Sequence, residues 1–141
     1  MQSVVDVLGR VAELLASSNH HAATRTRNGV LVVKTRGATT PLSIVAHERG
    51  DERAAVVLAW ICTESQAPAR RMLELAMSIG SGAIGLVSGA YWLRCTIPAT
   101  MLSAERLETV LDYARDIAVS LARQLPIEPA LAHDNPFLHF A

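Results

Sequence analysis

The sequence has few cysteines, few aromatic residues and no long apolar run. Cys62 and Cys95 are its only two thiols, too few and too far apart for a zinc site built from paired CxxC motifs. We expect both to be reduced residues of the core, with a disulfide as the alternative in an oxidising compartment. Aromatic side chains make up only 4% of the chain, so few side chains are present that stack on nucleic-acid bases.

No apolar stretch reaches the roughly 18 residues that a membrane-spanning helix needs. The first residues also lack the basic start and apolar core of a signal peptide. Half of the 141 residues are hydrophobic, which is typical of a folded chain. We therefore expect a cytoplasmic protein without a membrane partner, with one domain over residues 1–126 and an apolar, proline-containing tail over 127–141.

Neither sign of charge dominates, because 13 Lys and Arg residues balance 13 Asp and Glu residues. A nucleic-acid-binding surface normally needs an excess of basic residues to neutralise phosphates. Arg25, Arg27, Lys34 and Arg36 form a local basic patch, but no aromatic residue accompanies it. We interpret this patch as a solvated loop and strand edge, and we expect no nucleic-acid partner.

The common catalytic motifs are missing. The chain has no GxxxxGK[ST], GxSxG or HExxH pattern. Its glycine-rich stretch Gly80–Gly85 has the GxGxxG spacing, but it follows a predicted helix and precedes a predicted strand, the reverse of the dinucleotide-binding order. The adjacent histidines His20 and His21 have no acidic residue at ligand spacing, and we assign them to a surface loop. We expect no catalytic residue, no metal and no cofactor. The alternative is a small enzyme that uses several of five histidines: His20, His21, His47, His133 and His139.

Hydrophobic periodicity predicts three helices and five strands. Apolar residues recur at helical spacing over residues 3–16, 67–79 and 103–125, with Ser103 as N-cap of the last helix. Strands are predicted over 29–35, 42–47, 54–62, 83–87 and 90–97, and the last two are joined by the turn Ser88–Gly89. The strand 54–62 is apolar on both sides, which places it centrally in a sheet.

Two segments carry a resemblance to a known fold. One is the strand Ala54–Cys62 with the helix Ala67–Ile79 after it. The other is the strand Gly89–Pro98, which ends in an Ile-Pro step and leads through a short spacer into a helix that opens with Ser103 and Glu105. Their order resembles the type III secretion chaperone-like fold, which class I secretion chaperones share with YbjN-type proteins, over about residues 3–125. The neutral charge and the tail favour the YbjN-type group.

The resemblance implies an α+β fold with the order α-β-β-β-α-β-β-α: a twisted antiparallel five-stranded sheet and three helices in a two-layer sandwich. It also implies a homodimer that binds proteins and catalyses nothing. We thus expect a chaperone- or adaptor-like module that holds an extended segment of a partner protein. The alternative is a structural or regulatory subunit that docks through its tail.

Six candidate partner-binding residues lie on three of the predicted strands: Val30, Val32, Leu42, Ile44, Trp92 and Arg94. For the first four of these, contact with the first helix is the alternative. Candidate dimer-interface residues follow from the analogy alone: Met72, Met77, Ile84 and Leu86. The two methionines suit either core packing or a soft interaction surface.

Overall fold

The computed structural model describes residues 6–125 of the chain. Its helices are α1 (Val7–Leu15), α2 (Ala69–Ala76) and α3 (Ala104–Arg123). Its strands are β1 (His21–Arg25), β2 (Leu31–Thr35), β3 (Leu42–Arg49), β4 (Glu52–Thr63), β5 (Ala83–Val87) and β6 (Ala90–Pro98). The predicted tail over 127–141 and the start of the first predicted helix lie outside the described residues.

All six strands form one antiparallel sheet in the order β1-β2-β3-β4-β6-β5. The structure confirms the α+β class, the three helices and the antiparallel sheet. The prediction of five strands was wrong, and with it the element order, because β1 adds a strand before β2. None of the helices within residues 6–125 has the length and apolar character needed to cross a membrane.

The additional strand β1 has the sequence His-Ala-Ala-Thr-Arg, which shows no run of β-branched or apolar residues. It forms because a hairpin brings it against β2, in register from His21↔Thr35 to Arg25↔Leu31. Two further backbone hydrogen bonds extend the ladder, from Thr26 N–H to the Val30 carbonyl and from Arg36 N–H to the His20 carbonyl, both at 2.8 Å. Pairing therefore defines this strand where its composition does not.

One side of the sheet, here called the helix face, packs against the three helices. Alternate residues of the two long central strands, Ala55, Val57 and Ala59 on β4 and Leu93 and Ile97 on β6, are buried there. They share one core cluster with the apolar stripes of the helices, whose largest members are Val7, Leu8, Val11, Leu15, Met72, Leu75, Leu107, Leu111 and Leu121. The helices thus form one layer over this face.

The opposite side, here called the outer face, is also rich in apolar residues. Val56 on β4 lies between its register partners Val45 and Thr96 and is buried, whereas Val45, Leu58 and Trp92 are partly exposed. The described residues place no helix against this face. The predicted central position of β4 is confirmed, since β3 and β6 flank it and its residues are apolar on both sides.

Local signals in the sequence fix the ends of the last hairpin and helix. Ser88 and Gly89 form the two-residue turn between β5 and β6, with φ of 52° and 77°, the positive values that a tight hairpin turn requires. Ser103 caps α3 as predicted, since its hydroxyl accepts a hydrogen bond from Arg106 N–H at 3.1 Å. These two features position β6 and α3, which border the cleft described below.

Candidate protein-binding surfaces

Three of the predicted contact residues lie in the core. Leu42 and Ile44 on β3 point to the helix face and are 3% and 0% exposed, which matches the alternative of packing beneath the helices. Met72 on α2 is 2% exposed and belongs to the same cluster. A buried side chain cannot touch a partner without unfolding, so these residues are not carried forward as contact residues.

The other predicted partner-binding residues lie on the outer face or next to it. Val32 on β2 and Trp92 on β6 are partly exposed and Arg94 is exposed. Val30 immediately precedes β2 and is also partly exposed. Trp92 lies directly opposite Trp60 in register, and its indole N–H donates a 3.4 Å hydrogen bond to the Val87 carbonyl. The structure thus brings together on one face an apolar surface with an arginine at its margin.

The predicted dimer-interface residues other than Met72 lie on α2 and β5, which contact each other. Met77, at the C-cap of α2, is 89% exposed, Leu86 is 51% exposed, and Ile84 is partly buried. The structure adds Leu73 at 69% and Val87 at 60%, which the sequence analysis did not name. Leu86, opposite Tyr91, points to the helix face on the side of α2, whereas Val87, opposite Ala90, points to the outer face. We call Leu73, Met77 and Leu86 the α2–β5 patch.

Within residues 6–125, six large apolar side chains are exposed, and three of them belong to the α2–β5 patch; the others are Val87, Met101 and Val119. Such clustering is typical of an interaction surface, whereas single exposed apolar residues are ordinary. The short strand β5 also forms one edge of the sheet. Its amphipathic neighbour α2 buries only Met72 and Leu75 on its inner side, so helical periodicity alone could not separate Met72 from Met77.

His21 is buried on the helix face, which corrects its assignment to a surface loop. Its Nδ1 lies 2.9 Å from the Thr35 hydroxyl, its register partner on β2. Its Nε2 lies 3.7 Å from a carboxylate oxygen of Asp112 on α3. Burial is the main cause that lowers the pKa of His21 from its usual 6.5, and Asp112 and Glu108 oppose this shift.

The contacts of His21 resemble part of a catalytic triad, but their surroundings favour a structural role. Ser18 joins the same network, because its hydroxyl donates to Glu108 and accepts from His21 N–H, both at 3.1 Å. His21 and Thr35 do not line any of the five best-defined cavities among residues 6–125. The network fastens the start of β1 to α3.

Of the other described histidines, His20 lies beside His21, with ring centroids 6.4 Å apart, whereas His47 lies elsewhere. His47 lies near the end of β3, opposite Ala54 of β4, and its side chain is on the outer face. No group of three or more possible metal ligands occurs among residues 6–125. His133 and His139, the other members of the enzyme hypothesis, lie outside the described residues.

Both cysteines are free and buried on the helix face. Burial raises the pKa of Cys62 and of Cys95 above the usual thiol value. A raised pKa and limited access leave little thiolate for reaction. A bulge between Trp60 and Cys62 explains why Ile61 and Cys62, although adjacent in sequence, both enter the core.

Comparison of this chain with family models, with curated proteins and with solved structures finds no match. The resemblance to the secretion chaperone-like fold therefore remains a hypothesis that rests on two segments: the strand Ala54–Cys62 with the helix after it, and the strand that ends in the Ile-Pro step at residues 97–98. The geometry of the surfaces described above is the basis for the proposal that follows.

Proposed function

We propose that this protein is a non-catalytic protein-binding module that forms a homodimer and holds an extended segment of a partner protein, in the manner of a chaperone or adaptor. The observation that carries this proposal is the concentration of exposed apolar side chains in the α2–β5 patch. Apolar patches of this kind on a small domain usually mark contacts with other proteins.

The dimer is proposed to form through the α2–β5 patch. β5 is a short strand with a strand neighbour on one side only among residues 6–125. Its exposed Leu86 lies on the side of α2, which carries the exposed Leu73 and Met77. A two-fold axis at this place would pair the patch with itself, because the same residues of both copies meet in such an interface. Burying these side chains would contribute roughly 25 cal/mol for each Å² of apolar surface removed from water.

The mass in solution tests the dimer. Light scattering on the full chain is expected to give twice the chain mass of 15.2 kDa. The double substitution Met77→Glu and Leu86→Glu places charges in the patch and is expected to give the mass of one chain. Val119→Glu is the matched control, since Val119 is also exposed, at 44%, but lies on α3 outside the patch. A single-chain mass for the unaltered protein contradicts the dimer.

The partner segment is proposed to contact the outer face through Val30, Val32, Trp92 and Arg94. These residues offer an apolar surface with a positive charge at its margin, and the described residues place no helix over it. Val32→Asp should abolish the enrichment of partner proteins from the native lysate, whereas Val119→Asp, at an exposed valine of α3 away from this face, should not. The same proteins captured equally by Val32→Asp would contradict a role of this face.

A further inference from the structure

The strand β6 extends beyond β5 at one edge of the sheet. The pairing of β5 with β6 begins at Ala83↔Arg94, but β6 continues to Pro98. On its other side, β6 pairs with β4 as far as Ala54↔Pro98. Residues 95–98 therefore have a strand neighbour on one side only within the described part of the chain.

The hairpin turn shows which backbone groups of β6 face this free edge. In a two-residue hairpin the flanking residues, here Val87 and Ala90, exchange backbone hydrogen bonds across the turn. The Gly89 carbonyl points to the β4 side, where it accepts a 2.7 Å hydrogen bond from Glu64 N–H. Because successive residues of a strand direct their backbone groups to opposite sides, the N–H and C=O of Thr96 point to the β5 side, beyond the start of β5.

Tyr113 on α3 keeps the chain before β5 away from Thr96. Extending the β5–β6 register by two residues would place Ser81 opposite Thr96. The backbone of Ser81 is instead bound to the Tyr113 side chain: its N–H donates to the hydroxyl at 3.1 Å, and the hydroxyl donates to its carbonyl at 2.8 Å. Both backbone groups of Ser81 are thus occupied, and the Thr96 edge remains open.

An open cleft of about 590 Å³ lies along this edge, between β6 and α3. Its apolar lining includes Ile97, Met101 and Val110, and its charged lining consists of Arg94 and Arg106, with no acidic residue. Within residues 6–125 neither guanidinium lies within ion-pair distance of a carboxylate. The cleft therefore offers a strand edge, an apolar surface and two positive charges without a counter-charge.

We propose that this cleft binds an extended, acidic peptide segment of a partner protein, which adds to the sheet as a strand paired with Thr96. Main-chain hydrogen bonds to Thr96 supply affinity, as in other cases of strand addition. Side chains of an added strand alternate between the two sides of the sheet, so acidic ones can reach Arg94 on one side or Arg106 on the other. The inference deepens the proposed function and rests on it.

A pair of synthetic peptides tests the proposal on the full chain. The first is a fluorescent hexapeptide that alternates valine with glutamate, and the second carries lysine in place of each glutamate. Fluorescence anisotropy is expected to show binding of the glutamate peptide, weakening as salt is added, and none of the lysine peptide. Equal binding of both peptides, or of neither, overturns the acidic-segment proposal.

Matched variants locate the site. Arg94→Gln with Arg106→Gln is expected to weaken binding of the glutamate peptide at least tenfold. Arg27→Gln with Arg49→Gln removes two exposed arginines outside the cleft and is expected to change the affinity less than twofold. Unchanged affinity in the first double variant overturns the assignment to the cleft.

Backbone amide spectra separate this inference from the broader function. The glutamate peptide is expected to shift the Thr96 amide strongly, and Thr96→Pro, which removes that donor at an edge where proline is tolerated, should prevent binding. If Thr96→Pro does not fold, the amide shifts alone decide the question. Shifts centred on Val32 and Val45 would overturn the cleft and leave the protein-binding function in place, whose dimer is tested independently by the solution mass.

Discussion

The two faces of the sheet use the same strands and yet differ in what covers them. On the helix face, Val57 and Leu93 are completely buried against the helices, while on the outer face their sequence neighbours Leu58 and Trp92 stay partly exposed. Both faces are apolar at the centre, so composition alone does not distinguish them. The difference teaches that burial in this fold follows from where the helices lie, and that the outer face keeps partly exposed apolar side chains among residues 6–125.

The test with the largest expected effect shortens one leucine on each face to alanine. Leu93→Ala is expected to lower the free energy of unfolding by about 2–5 kcal/mol, because it removes a completely buried side chain and leaves a cavity. Leu58→Ala, on the outer face, should cost less than half as much, since Leu58 is already partly hydrated. Urea denaturation measures both. Equal losses would mean that the outer face is packed as tightly as the helix face.

A second test uses two glycines near β5. Gly82 has φ of +88°, and a Cβ there would lie 2.9 Å from the Arg94 carbonyl oxygen and 3.1 Å from the Cys95 sulfur. Gly82→Ala should therefore cost about 1–3 kcal/mol. Gly85, opposite Trp92 in register, has nothing within 4 Å of an added Cβ, so Gly85→Ala should be close to neutral. Thermal unfolding distinguishes them, and a neutral Gly82→Ala would contradict the tight approach.

The third test measures how the free energy of unfolding depends on pH. Burial lowers the pKa of His21 below its usual 6.5, so below pH 6.5 the unfolded chain binds a proton that the folded chain does not. The stability that neutral His21 contributes is present above pH 6.5. It is lost as the pH falls from 6.5 to the lowered pKa, with a slope of at most about 1.4 kcal/mol per pH unit.

The charged groups around His21 are Asp112, Glu108, Arg115 and His20. His21→Gln should flatten the pH dependence of unfolding between pH 7 and 5. Urea unfolding over a series of buffers measures this slope. The same slope in the unaltered protein and in His21→Gln would rule out His21 as its source.

The smallest change in the free energy of unfolding is expected for Tyr113, at the margin of the helix face. Tyr113→Phe removes two hydrogen bonds to Ser81 and should cost about 0.5–1.5 kcal/mol. Tyr91→Phe is the matched change, because the Tyr91 hydroxyl makes no hydrogen bond to another of residues 6–125 and its loss should be nearly neutral. Chemical denaturation compares the two, and a larger loss for Tyr91→Phe would reverse the assignment.

Helical periodicity and turn chemistry predicted most of the fold, because these signals are local. The stripe from Leu107 to Leu121, the N-cap at Ser103 and the Ser88–Gly89 turn are confirmed in the structure. The missed strand β1 shows the limit of this approach, since nothing in His-Ala-Ala-Thr-Arg indicates a strand until β2 supplies its hydrogen-bond partners. Buried His21 was missed for the same reason.

The candidate sites were less predictable than the fold. Met72 and Met77 both suit an apolar helix, and only packing places Met72 in the core and leaves Met77 exposed. Leu42 and Ile44 were candidates for a partner surface with contact to the first helix as the alternative, and the direction of β3 places them beneath the helices. The cleft beside Thr96 could not be predicted, because it depends on Tyr113 binding Ser81, 32 residues away in sequence.

By itself, the sequence determined where the helices lie, which strands are apolar and where the last hairpin turns, because periodicity, caps and turn residues act over a few neighbours. Tertiary structure alone decided that the sheet has a sixth strand, which of its two apolar faces the helices cover, and that no second strand among residues 6–125 pairs with β6 at Thr96. Those features arise from pairing and packing between distant segments, whose geometry no local pattern encodes.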